Sequence, residues 1–167
     1  MNSNMWSPWR SEYVQDADRD NANTCFLCGA AETGEEANGT FVGAHGSAIV
    51  VVNRFPYNAG HLLVAPTSHI PDLLSLSETE SAELMAAVRH AMRIIEIVMK
   101  PHGMNVGINQ GSAGGAGVPG HLHVHIVPRW NGDTNFMPTI ADVSVVSASL
   151  SKLVADFRSA HKDIQVL

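Results

Sequence analysis

Residues 120–130, read GHLHVHIVPRW, restrict the fold more than any other stretch of this chain. A strand turns successive side chains to opposite faces, so His121, His123 and His125 share one face while Leu122, Val124 and Ile126 share the other. The apolar row needs a core beneath it, and the imidazoles then face outwards or into a cleft. A rise of about 3.3 Å per residue puts the outer two roughly 13 Å apart, with the middle one roughly 7 Å from each. A single metal ion can take two neighbours of such a row but hardly all three. A solvated face has no reason to repeat imidazole rather than Thr or Lys, so the row points to chemistry.

The rest of the chain supplies a sheet and helices for this strand. The stretches 47–53 (SAIVVVN) and 61–66 (HLLVAP) are short apolar runs flanking the turn-formers RFPYNAG, which predicts two strands joined by a short connection. Residues 77–100 predict the clearest helix: Ser77 and Glu80 form an S-x-x-E capping box, and Pro101 with Gly103 supplies the stop. Leu84, Val88, Ala91, Ile95 and Val98 make a stripe that covers the sheet, while Met85, Met92 and Met99 make a second stripe for another partner. That partner is a C-terminal helix over roughly 146–161 or a second subunit. Residues 104–109 (MNVGIN) predict a further strand, running into the glycine-rich QGSAGGAGVPG. The first forty residues are polar and turn-rich and read as a loop-rich arm, docked by Trp6 and Trp9.

At 167 residues, 45% hydrophobic and 16% charged, the chain suits one globular domain. Its net charge of −6 gives no footprint for nonspecific nucleic-acid binding and no polybasic signal for anionic membranes. No apolar run reaches membrane-spanning length and the N-terminal stretch MNSNMWSPWRSEYV has no basic region followed by an apolar one, so the expectation is cytoplasmic. In that setting the pair Cys25 and Cys28, spaced C-x-x-C, suggests a metal or redox pair before a disulfide. A structural zinc needs four ligands, so two must come from elsewhere. A redox pair opens a helix after a strand in a βαβ context, which TCFLCG in a polar arm lacks.

A glycine-rich turn presents backbone N–H groups with no side chain in the way, the arrangement that cradles phosphate oxygens. Here it leads straight into the histidine row. A neutral imidazole beside a phosphorus atom can attack it, and a second can hold or protonate phosphate oxygens.

The segment HLHVHIVP resembles the histidine-triad motif of the histidine triad (HIT) superfamily of nucleotidyl hydrolases and transferases. NRFPYNAGHLLVAPTSHI resembles the family's upstream strand pair and NVGINQGSAGGAGVPG its phosphate loop, so the likeness covers roughly residues 25–136. WSPWRSEYV, PYNAGHLLVAP and HVHIVPRWNGDTNF resemble the bacterial diadenosine tetraphosphate phosphorylases and the Fhit-like dinucleoside polyphosphate hydrolases. The resemblance implies an α+β fold: an antiparallel sheet of about five strands, the long helix packed on it and a C-terminal helix outside, in a single HIT domain over 1–167 with the arm at 1–40. It implies that His123 is the nucleophile at the α-phosphorus and that His125 assists the leaving group. His61 would orient the triad, Asn53 would meet the ribose hydroxyls, and Asn109 would head the phosphate loop, whose Gly115 and Gly117 would supply N–H donors. The loop is one residue longer than the family's, and Gly117 stands where many relatives carry Ser or Gln. Relatives with an N-terminal C-x-x-C complete a zinc site with residues matched here by His69 and His121. The implied activity is cleavage of dinucleoside polyphosphates through a nucleotidyl-histidine adduct, with water or phosphate as acceptor, by a homodimer. Structural zinc is the implied cofactor, and Mg²⁺ would accompany the substrate.

The residues also admit other readings. Asn53 and Asn109 could cap local turns, and His61 could be a core histidine. His45, His90, His102 and His161 are expected at the surface or at helix ends. Two triad histidines with a third residue could hold a catalytic zinc with an open position. The fold could serve as a nucleotide-binding module without turnover, and phosphoramidates or aminoacyl adenylates could be the substrates.

Overall fold

The computed structural model describes residues 25–34, 39–133 and 149–165. Its elements are α1 (Phe26–Thr33), β1 (Phe41–His45), β2 (Ala48–Val52), β3 (Leu62–Pro66), a 3-10 turn (Leu73–Ser75), α2 (Glu78–Met99), β4 (Gly103–Ile108), β5 (Val124–Arg129) and α3 (Leu150–Gln165). The five strands form one antiparallel sheet in the order β1-β2-β3-β5-β4. This is the expected α+β arrangement. Trp6, Trp9 and the first turn expected of the C-terminal helix lie outside the described residues.

Every residue of β2 and β3 is buried, because both faces of the sheet centre are covered. Val50, Val52, Leu62, Val64, Leu122, Val124 and Ile126 pack towards α2 and α3, while Ile49, Val51, Leu63 and Ala65 pack with Leu27 and Ala30 of α1. Cover on both faces explains why AIVVV reads as an unbroken apolar run instead of an alternating one. The register puts Val51, Leu63, His125 and Gly107 side by side across four strands on the α1 face. The histidine row therefore lies on the face opposite the long helix, as its alternation requires.

The Ser77–Glu80 capping box forms as expected, and α2 ends at Lys100, in the left-handed conformation, just before Pro101. Several expectations are corrected. The N-terminal arm is not all loop: Cys25 stands at the N-cap of α1, so the cysteine pair opens a helix. β1 was not expected, since TFVGAHG is broken by Gly43; that glycine is required because a Cβ there would run into the His161 ring. The methionine stripe is only partly covered: Met92 and Met99 pack against the core, and Met85 is 59% exposed.

Beside the apolar contact of α2 with α3 lies His90, whose Nε2 is 2.8 Å from Nδ1 of His161 and whose ring stacks on His45 at 4.5 Å. His90 and His161 are buried and not at the surface. Burial first, then the neighbouring His45, His161 and Arg93, pushes His90 down to about 4. His161 is lowered too, by burial and then by His45 and Lys162. An unfolded histidine titrates near 6.5, so between about pH 4 and 6.5 the unfolded chain binds a proton that folded His90 refuses. Stability is then complete above that window and is lost on acidification through it. Acidification from pH 7 to 4.5 should cost wild type on the order of 2 kcal/mol more than His90→Gln, or about 4–8 °C of Tm. Parallel melting profiles for the two proteins would refute this.

Candidate active site

β5 proper begins at Val124, so His121 and His123 lie on the extended segment that enters it, and only His125 is held in the ladder. All three are still brought to one face. His121 is fully buried and His123 nearly so, whereas His125 is half-buried at the edge of a trough.

Hydrogen bonds assign a tautomer to each ring. The Tyr57 backbone N–H donates to His61 Nδ1 at 3.1 Å, and the Asn53 amide lies 3.2 Å from the same nitrogen. His61 therefore carries its proton on Nε2 and donates it to His125 Nδ1 at 3.0 Å. The proton of His125 is thereby placed on Nε2, with the Asn109 side chain 3.5 Å away. His123 Nδ1 donates to the His121 carbonyl at 2.8 Å, which leaves the lone pair on its Nε2. The rings of His123 and His125 stand 4.9 Å apart. An acceptor nitrogen and a donor nitrogen are thus held side by side. Burial lowers the pKa of His123, against the raising effect of the His121 carbonyl.

Of the other expected residues, His61 is fully buried and stacks on Tyr57 at 5.0 Å. Asn53 does both local jobs available to it: its carbonyl accepts from the Phe55 N–H at 2.9 Å while its amide meets His61. Asn109 stands just past the end of β4, its amide 3.5 Å from the Gly115 carbonyl. The glycine loop is a tight turn in which the Gly115 N–H is spent on the Ser112 carbonyl at 3.0 Å, with Gly111 and Gly115 at positive φ. Gly117 lies just beyond it, half-buried, leading to Val118 of the α1-side core.

Cys25, Cys28, His69 and His121 come together with their ligand atoms all within 4.8 Å of one another. His121 Nε2 donates to the Pro66 carbonyl at 2.8 Å, so its Nδ1 lone pair faces the sulfurs, 3.3 Å from Cys25 Sγ and 3.4 Å from Cys28 Sγ. Cys28 Sγ lies 3.2 Å from His69 Nδ1. A ligating histidine whose second nitrogen donates to a carbonyl is the usual outer support of a metal site. Both cysteines are free thiols, the pair sits beside an antiparallel sheet, and burial followed by Cys25 pushes Cys28 up to about 11. Thiols that act as redox nucleophiles are instead lowered.

The sequence did not single out Tyr57, which holds His61, nor the trough of about 350 Å³ that opens at His125 and runs over β4 and β5 between Tyr57 and Arg129. A glycine inside a strand, Gly107, was the available signal, since such a position often marks close approach by a ligand.

Residues 34–132 match the family model described as HIT domain. The chain belongs to the HIT domain family. It is 40% identical over 147 residues to a Mycobacterium tuberculosis protein named AP-4-A phosphorylase, covering 85% of this chain and 75% of that one. Over 82 residues it is 40% identical to the asymmetrical bis(5'-nucleosyl)-tetraphosphatase of Schizosaccharomyces pombe, covering 49% of this chain and 44% of that one. Its fold is that of a zinc-bound histidine triad family protein from Mycobacterium smegmatis, with a TM-score of 0.68 at 21% identity over 87% of this chain and 99% of the other. Among the described residues of this HIT protein, no helix is long and apolar enough to cross a membrane.

Proposed function

We propose that this HIT protein cleaves dinucleoside polyphosphates by nucleotidyl transfer through His123. The observation that carries the reading is the tautomer arrangement, which sets a lone pair on His123 Nε2 beside a proton on His125 Nε2. His123 Nε2 attacks the α-phosphorus, and the bond from that phosphorus to the bridging oxygen breaks with its electrons on the leaving nucleotide. His125 donates its Nε2 hydrogen to that oxygen, and His61 holds His125 for the task. From diadenosine tetraphosphate the first step releases ATP and leaves AMP on His123. Water then yields AMP, and inorganic phosphate yields ADP. The relative named AP-4-A phosphorylase, similar over most of this chain, supports phosphate as the acceptor. Asn109 and the backbone at Gly115 and Gly117 border the phosphate site, with Asn53 at the ribose end. Mg²⁺ enters as the counter-ion of the polyphosphate.

The donor set of Cys25, Cys28, His69 and His121 fits zinc in a closed tetrahedral site, where the ion would tie α1 to the segments before α2 and β5. Four protein donors leave no open position, and only one triad histidine is among them, which weighs against a catalytic zinc.

The test is intact-protein mass spectrometry after brief mixing with diadenosine tetraphosphate and an alkaline quench. An AMP-sized adduct is expected on wild type and absent from His123→Ala. AMP binding without an adduct on wild type would turn the reading towards a binding module.

The assembly proposed is a homodimer joined through β4. Among the described residues this strand pairs only with β5, and it exposes Val106 at 46%. Unpaired edges invite pairing with a second copy about a two-fold axis. Sedimentation velocity should show a dimer for wild type and a monomer for Val106→Arg; a monomeric wild type would refute it.

A further inference from the structure

We infer that the trough between His125 and Arg129 is the binding site for the leaving nucleotide, with Arg129 holding the distal phosphates. The inference rests on the proposed phosphoryl chemistry at His123 and says where the rest of the substrate lies. His123, His125, Val127 and Arg129 form one row along the same backbone face, and the β4 residues paired opposite, Gly107 and Asn105, share that face. In-line displacement puts the leaving oxygen on the side of phosphorus away from the nucleophile. With His123 at one end of the row, the departing chain passes His125 and runs towards Arg129.

The floor of this path is bare. Gly107 lies directly opposite His125, its φ is not positive, and a Cβ built there would meet nothing within 4 Å. A strand gains stability from a side chain at such a position, so the missing one keeps the path open. From His125 to Arg129 the strand advances about 13 Å, a reach that suits a short polyphosphate rather than one phosphate. At its end the guanidinium is locked in place. Arg129 Nε and Nη2 donate to the two Asp133 oxygens at 2.6 and 2.8 Å, and Nη1 donates to Asn105 Oδ1 at 2.9 Å. Asp133 is also held by the Asn58 amide at 3.0 Å and the Trp130 N–H at 3.1 Å, so its charge is shared among several donors. A guanidinium has five N–H groups, and the two beyond these bonds remain for phosphate oxygens.

Equilibrium binding separates this subsite from the one at His123. On the full chain carrying His123→Ala, which prevents turnover, calorimetric titration compares diadenosine tetraphosphate with AMP. The tetraphosphate should bind more tightly. Adding Arg129→Gln should weaken the tetraphosphate about 10- to 100-fold while AMP holds within about twofold. Gly107→Val, which fills the floor without touching a charge, should weaken the tetraphosphate selectively too, and Arg129→Lys should recover part of the loss. If neither Arg129→Gln nor Gly107→Val changes the ratio of the two affinities, or if both ligands weaken equally, the trough is not the leaving-nucleotide site. An absent adduct on wild type would instead count against the His123 chemistry, whatever these titrations show.

Discussion

His123→Ala should lower kcat for cleavage of diadenosine tetraphosphate by about 10⁴-fold or more, with little change in AMP affinity. The size of the effect follows from what the side chain supplies. Without it the acceptor must attack the α-phosphorus directly, and no other imidazole can replace it. His125 has its Nδ1 occupied by the His61 proton, and His121 has its Nδ1 turned towards the cysteines. His61 donates through Nε2 and accepts through Nδ1, so it too presents no nucleophilic nitrogen to the substrate. A His123→Ala protein retaining more than about a tenth of wild-type kcat would show that the adduct is not on the reaction path.

Removal of the proposed zinc should be the largest single blow to stability. Mass spectrometry should find one zinc on wild type and none on Cys28→Ser, which should melt about 10 °C or more lower. Three separate segments meet at the four donors: the start of α1, the loop after β3 and the entry to β5. Cys25 and His121, bonded there, are 96 residues apart in the chain. Deleting one ligand leaves the others buried without their ion, and the sheet's second face loses the clamp on its α1 cover. The effect should also reach the chemistry, because the His121 carbonyl holds the tautomer of His123. A chelator should reproduce the loss in wild type and do nothing further to Cys28→Ser. A wild-type protein that binds no zinc, or melts unchanged after chelation, would remove zinc from the account.

Much of this was legible in the sequence because it is coded at short range. Alternation in HLHVHIVP sorted the imidazoles from the core row, and the capping box located the start of α2. The parts missed depend on neighbours distant in the chain. β1 escaped notice because Gly43 interrupts its apolar pattern, yet Gly43 is what admits the His161 ring from α3, 118 positions later. His90 sat within the pattern of α2 as a polar residue and was assigned to the surface. It is buried because another histidine reaches it from α3. Cys25 and Cys28 open a helix, although the polar composition around them suggested only loop.

The residue types and the faces they occupy were thus determined by the sequence alone: a histidine row opposite an apolar row, a glycine loop before it, a cysteine pair in need of partners. Tertiary structure decided which nitrogen of each imidazole carries the proton. That choice depends on single hydrogen bonds, to the Pro66 and His121 carbonyls and the Tyr57 N–H, whose positions follow from sheet register and loop closure. Periodicity assigns a side chain to a face, but the partner atom within 3 Å is set by how the strands and loops are brought together.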